Sequence, residues 1–206
     1  MPRLEPFSKA DKADPKLREH RQSSEKLLSG RFLQVFSDMV ALPDGNSAFR
    51  EYIVHPGAVM IIPLLSDDAA QMQVILERQF RYPVDKVMVE LPAGKRDGSE
   101  DLLACAQREL REETGYTATE WAHAGIMHPC ISYSTEYIDV WFARGLHAGT
   151  SKLDPGEFLE VFSAPVDDFL NWCRLGQVSD GKTLTGAFWL QNFVLGKLQL
   201  DWQAAP

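Results

Sequence analysis

A chain of 206 residues, 45% of them hydrophobic, is long enough to bury one full core. Its 29 acidic and 21 basic residues leave a formal charge of −8, which argues against a surface built for nucleic acid or an anionic membrane. Three cysteines in no metal or redox spacing, no signal-peptide pattern and no apolar run of membrane-spanning length predict a soluble, cytoplasmic protein with reduced thiols.

Residues 1–26 are charged and poor in apolar side chains, and predict a flexible or loosely helical arm. Residues 27–56 predict an antiparallel strand pair, because the runs 32–40 and 49–55 flank the turn signal Leu42-Pro43-Asp44-Gly45-Asn46. The remaining chain, 57–206, reads as one domain. Residues 57–65 and 72–79 are apolar runs of strand length, and 87–91 is a third strand candidate. A helix follows, with Ser99, Glu100 and Asp101 supplying a cap and an acidic first turn and Gly115 a natural stop. Strands are predicted over 121–127, 137–143 and 158–162, with Trp121, Trp141 and Phe142 as core rather than stacking platforms. The chain closes with helices over 165–175 and 184–198, the second packing Ala187, Phe188, Leu195 and Leu198 into the core. This order fits an α/β fold in which helices cover the faces of a mixed sheet.

The first of these helices carries the chemistry. Glu109 and Glu113 stand one turn apart on the same side, and Glu112 flanks them. Carboxylates crowded in this way repel one another unless a cation sits among them. Hard oxygen donors with no nearby Cys or His ligands point to Mg²⁺ or Mn²⁺ rather than zinc. Leu102, Leu103, Ala106 and Leu110 form an apolar stripe beside the ridge, which anchors it at the edge of a core. Arg108 and Glu100 are expected to be structural, pairing with each other or fixing the loop, rather than ligands.

Gly176-Gln177-Val178-Ser179-Asp180-Gly181-Lys182-Thr183 matches a phosphate-binding P-loop letter for letter. A P-loop must follow a buried strand and open a helix. Here a predicted helix precedes the stretch and only about twenty residues follow, so a helix-to-helix connection capped by Asp180 or Thr183 is the expectation.

Gly94, Glu100, Arg108, Glu109, Glu112, Glu113 and Gly115 fall at the spacing of the Nudix box, with Leu110 at its apolar position and Tyr116 where an aliphatic residue is usual. Seven fixed positions coincide by chance in on the order of one chain per million, so the chain is identified as resembling the Nudix hydrolases. Phe32-Leu33-Gln34-Val35, Arg50-Glu51-Tyr52, His55 to Val59, Glu77 to Pro83, Glu90 to Gly94, Gly156 to Val161 and Asp180 to Thr183 resemble the ADP-ribose pyrophosphatase branch over residues 27–195. The resemblance implies an αβα sandwich and Mg²⁺-dependent hydrolysis of ADP-ribose to AMP and ribose 5-phosphate. Nucleotide sugars, dinucleoside polyphosphates and NADH are the alternative substrates, and a sensor without turnover is the remoter reading. It further implies Glu109, Glu113, Glu112 and the Ala93 carbonyl as metal ligands and Arg81 on the diphosphate. Glu90 and Arg50 would touch the ribose or diphosphate region. Glu157 is the expected general base, with Glu160 or a glutamate of the acidic helix as substitutes, because Pro155 stands where some relatives carry a further acid. A homodimer through the N-terminal strands completes the expectation.

Overall fold

The computed structural model describes residue 14, residues 16–66, residue 68 and residues 71–205. It divides into two compact units, Met1–His55 with Cys130–Thr135, and Pro56–Pro129 with Glu136–Pro206.

In the first unit, β1 (His20–Ser29), β2 (Gln34–Ala41) and β3 (Ser47–Val54) form an antiparallel sheet in that order. β2 and β3 pair without a break from Gln34↔Val54 to Ala41↔Ser47. The predicted turn closes them: Asn46 N–H donates to Asp44 Oδ1 at 3.0 Å, and Gly45 takes a φ of +88°. β1 corrects the sequence reading, because residues 20–26 of the expected arm are strand; residues 1–13 and 15 of that arm lie outside the described residues. Every residue of β1 is exposed, so no alternation marks it, and its ladder to β2 defines it instead.

The second unit contains β4 (Ala58–Ser66), β5 (Gln73–Arg81), β6 (Lys86–Glu90), β7 (Ala93–Lys95), α1 (Leu102–Glu109), β8 (Thr117–Met127), β9 (Ile138–His147), β10 (Leu159–Pro165), α2 (Val166–Arg174), α3 (Gly181–Val194) and β11 (Gln203–Ala204). The sheet runs β10-β5-β4-β9-β8-β11, with β6 on β5 and β7 on β4. β4 and β9 are parallel while β4 and β5 are antiparallel, so the sheet is mixed. β4 is buried on both faces, and its alternation sorts the core. Val59 and Ile61 pack with Cys105, Ala106 and Leu110 of the acidic helix region. Met60, Ile62 and Leu64 pack with Phe169, Leu170, Ala187 and Leu190 of α2 and α3. Helices therefore cover both faces, and the unit is the αβα sandwich the sequence implied. Trp121, Trp141 and Phe142 are core, as expected. Among the described residues no helix is long and apolar enough to cross a membrane.

Two helices differ from expectation. α1 ends at Glu109, and Leu110–Thr114 continues as a π-helical turn closed by Gly115 at φ +77°. The Thr114 hydroxyl donates to the Leu110 carbonyl within that turn, a side-chain intrusion of the kind that reshapes a helical ladder. α3 starts at Gly181 rather than Leu184 and buries Thr183, Gly186, Ala187 and Leu190. Phe188 and Leu195, expected in the core, are exposed. Gly186 decides which face turns inward: a Cβ there would stand 2.4 Å from Leu91 Cδ1 and 3.0 Å from Met60 Cε, so the helix seats closely only along its glycine.

Candidate active site

Pleating puts Glu77, Gln79 and Arg81 of β5 on one face. Arg78 is on the other, paired with Glu160 of β10 at 2.9 Å, which sets Glu160 aside as a substitute base. Glu77 lies directly opposite Glu90 of β6, and like charges facing across a ladder destabilise it. Two cations answer this. Arg81 clasps Glu90 with two bonds, Nε to Oε1 at 2.7 Å and Nη2 to Oε2 at 2.8 Å. Lys182 Nζ also donates to Glu90 Oε2, and to Asp180 Oδ2 at 2.9 Å. Burial alone would raise the Glu90 carboxyl, but Arg81 and Lys182 outweigh it and hold it below its ordinary value. Glu77 has no such partner. It is 0% exposed, neither oxygen is hydrogen-bonded, and burial together with Glu90 pushes it up to about 7.

The P-loop-like stretch turns out to be a helix cap. Asp180 accepts from Thr183 N–H at 3.0 Å, and the Thr183 hydroxyl donates back to Asp180 at 2.6 Å. Thr183 Oγ1 also accepts from Leu91 N–H at 3.0 Å, pinning the start of α3 to the residue after Glu90.

The acidic ridge approaches from α1, whose first turn is capped by Asp101 accepting from Leu103 and Ala104 N–H. Arg108 is its hub. It binds Glu100 through Nε at 3.0 Å and Nη2 at 2.9 Å, Glu109 at 2.8 Å, Glu112 at 3.1 Å and the Lys95 carbonyl at 3.1 Å. Arg108 draws Glu100 down to about 2, and the two residues pair, as expected. Glu109 moves the other way, to about 7, because burial and the Glu112 and Glu157 charges exceed what Arg108 provides. Glu113 is buried, accepts from Ala93 N–H at 3.0 Å, and is raised well above its ordinary value by burial and then by Glu77, Glu109 and Glu157. Glu157 follows a tight turn in which Gly156 has φ +91°; its carboxylate accepts from Gln79 Nε2 at 3.5 Å and from Asp154 N–H at 3.3 Å.

The fold thus gathers Arg81, Glu90, Ala93, Glu109, Glu112, Glu113 and Glu157. It places Glu90, 1% exposed, against Arg81 and Lys182. Arg50 belongs to the N-terminal unit, where it binds Glu19 through Nε at 2.9 Å and Nη2 at 2.5 Å. Sequence reasoning missed Glu77, Gln79 and Lys182. The alternation Glu77-x-Gln79-x-Arg81 is the signal that could have found the first two, whereas Lys182 was hidden in the P-loop-like stretch.

The site suits a hard divalent cation. Burial, and then the charges of neighbouring carboxylates, raise the proton affinity of Glu77, Glu109 and Glu113, and Glu77 offers two buried oxygens with no partner. Among the described residues no three such groups already stand as a finished metal cage; Arg108 pairs with Glu109 at 2.8 Å and with Glu112 at 3.1 Å. The raised carboxyls give a sign for pH. Their folded-state values near 7 exceed the ordinary 4.5, so the stability they confer is fully present below about 4.5 and lost as pH rises through about 7. In a chelator, the melting temperature is expected to fall by about 5 °C between pH 5.5 and 8. Mg²⁺ should restore more at pH 8 than at pH 5.5, as calorimetry would show; equal restoration at both values would refute a cation among these carboxylates.

The fold and this cluster define a carboxylate-rich site on an αβα sandwich, and comparison with known proteins places it. The NUDIX domain model matches residues 54–186, and the chain belongs to that family. It is 33% identical over 177 residues to an ADP-ribose pyrophosphatase of Bacillus subtilis (strain 168), covering 85% of this chain and 94% of that protein. It is 33% identical over 172 residues to a methanol dehydrogenase activator of Bacillus methanolicus, covering 82% and 90%. An ADP-sugar pyrophosphatase of Mus musculus is 33% identical over 165 residues, covering 73% and 76%. A crystal structure of an ADP compounds hydrolase superposes with a TM-score of 0.77 at 21% identity, covering 88% of this chain and 98% of that one; it speaks for the fold.

Proposed function

We propose that this protein hydrolyses the diphosphate of ADP-ribose to AMP and ribose 5-phosphate in a Mg²⁺-dependent reaction, with Mn²⁺ able to substitute. The observation that carries the reading is the gathering of Glu109, Glu113 and Glu157 beside Arg81 on a NUDIX fold, in a chain one third identical to an ADP-ribose pyrophosphatase along most of its length. Glu109, Glu112, Glu113 and the Ala93 carbonyl would hold the metal, which supplies charge neutralisation on the diphosphate as phosphorus is attacked. Arg81 grips the diphosphate with its planar guanidinium, the geometry suited to paired oxygens. Glu157, held by Gln79 and the Asp154 N–H, takes the proton of the attacking water. The remaining work is positioning, as in other phosphoryl transfers.

The test is release of AMP from ADP-ribose with Mg²⁺, run beside GDP-mannose, NADH and diadenosine polyphosphates. Preferential cleavage of ADP-ribose supports the reading; preference for another substrate overturns it while keeping the reaction class.

The protein is further proposed to act in the cytoplasm as a homodimer assembled through the N-terminal sheet, with Arg50 serving the substrate in that assembly. Leu27, Leu28, Phe32 and Phe49 are exposed apolar side chains of that unit and favour association. Light scattering is expected to give twice the chain mass, and a monomer with full activity would refute the dimer.

A further inference from the structure

We infer that Lys182 is the standing counter-ion of Glu90, the group that frees Arg81 to leave Glu90 and take hold of a diphosphate. The inference rests on the reading of Arg81 as the diphosphate residue. Three observations carry it.

The first is an asymmetry of burial. The Arg81 side chain is 41% exposed and can swing outward, whereas the Glu90 side chain is 2% exposed and cannot follow. The second is that Arg81 spends its Nε–Nη2 edge, the side-on edge that suits paired phosphate oxygens, on Glu90. A ligand that takes this edge displaces Glu90 from Arg81, and the carboxylate left behind faces Glu77 across the ladder. A buried carboxylate stripped of its cation beside a second carboxylate is strongly unfavourable. The third is that Lys182 already shares Glu90 Oε2 with Arg81 and cannot drift away. Its ammonium is bonded to Asp180 as well, Asp180 is locked by Thr183, and Thr183 is bonded to Leu91 N–H beside Glu90. Lys182 thus stays with Glu90 when Arg81 departs, and it acts through Glu90 and Arg81 as a positioning residue without touching the ligand. This gives a use to the stretch of sequence that imitates a P-loop: its lysine meets a carboxylate rather than a phosphate.

The experiment measures binding of α,β-methylene ADP-ribose, a non-cleavable diphosphate, to the full-length protein by isothermal titration calorimetry in Mg²⁺. Arg81→Gln, Lys182→Met, Lys182→Arg, Glu90→Gln and the double variant Glu90→Gln/Lys182→Met are compared. Lys182→Met is expected to weaken binding at least about tenfold, since Arg81 becomes the sole counter-ion and is retained. Lys182→Arg should recover most of the affinity. In the double variant the carboxylate charge is gone, so affinity should return to within about threefold of Glu90→Gln alone, a rescue that a merely structural lysine would not show. The double variant removes cation and anion together and keeps the comparison open if Lys182→Met alone folds poorly. If Arg81→Gln weakens binding and Lys182→Met does not, or if Glu90→Gln fails to rescue, the counter-ion role is overturned and the site reading stands. If Arg81→Gln itself leaves binding unchanged, the assignment of Arg81 to the diphosphate falls, and this inference with it.

Discussion

Glu113→Gln is expected to reduce kcat by about 10⁴-fold, the scale of the several kcal/mol of charge stabilisation that a catalytic metal supplies. Glu113 is the most enclosed member of the ridge, fixed by the Ala93 N–H and raised by burial first and then by Glu77, Glu109 and Glu157. An amide can keep the bond from Ala93 but cannot bring the charge a cation requires. The same change should leave the metal-free protein as stable as before, or more so at pH 8, because it removes one of several crowded carboxylates. Glu157→Gln should cost far less, about 10²-fold, at the low end for a general base because neighbouring carboxylates can accept the proton. Steady-state kinetics at saturating Mg²⁺ decide the order. Near-normal turnover of Glu113→Gln would overthrow the assignment of the ridge, and a larger loss for Glu157→Gln would put proton transfer ahead of charge neutralisation.

Gly94→Ala is expected to reduce activity by about 10- to 100-fold with little change in stability. A Cβ at this position would stand 1.9 Å from Glu109 Cδ and 2.1 and 2.2 Å from its two oxygens. The obstacle is the far end of a flexible side chain, so the fold can yield by turning Glu109 aside, and the melting temperature should move by less than about 2 °C. What cannot yield is the place of the carboxylate. The Mg²⁺ concentration for half-maximal activity should therefore rise, and excess Mg²⁺ should recover part of the loss. An unchanged Mg²⁺ requirement would show that Glu109 does not hold the metal. Gly57→Ala is the contrasting case. Its Cβ would meet the Tyr137 ring at 2.4 Å from a residue with φ +95°, where neither ring nor backbone yields cheaply, so its effect belongs to folding.

The acidic ridge was legible in the sequence because helical spacing alone puts Glu109 and Glu113 together, and a cap and a terminal glycine mark the segment's ends. The π-helical turn at its end was not legible, since Thr114 reads as an ordinary helix residue until its hydroxyl is seen on the Leu110 carbonyl. β4, β5 and β9 were legible because burial imposes apolar runs on them. β1 was not, because a strand exposed along its whole length carries no such mark. The inward face of α3 was misjudged for a related reason: Phe188 looked like core by hydrophobicity, but Gly186 alone permits close approach to Leu91 and Met60.

Local spacing and apolar periodicity carried the Nudix box, the longer strands and the helices of the sandwich, and the carboxylate ridge. Which charges meet was fixed by folding. It set Glu77 against Glu90 across a ladder and brought Lys182 over a separation of 92 residues to share Glu90 with Arg81. Coulombic and desolvation energies depend on distance and burial, and neither is written in the spacing of residues along a chain.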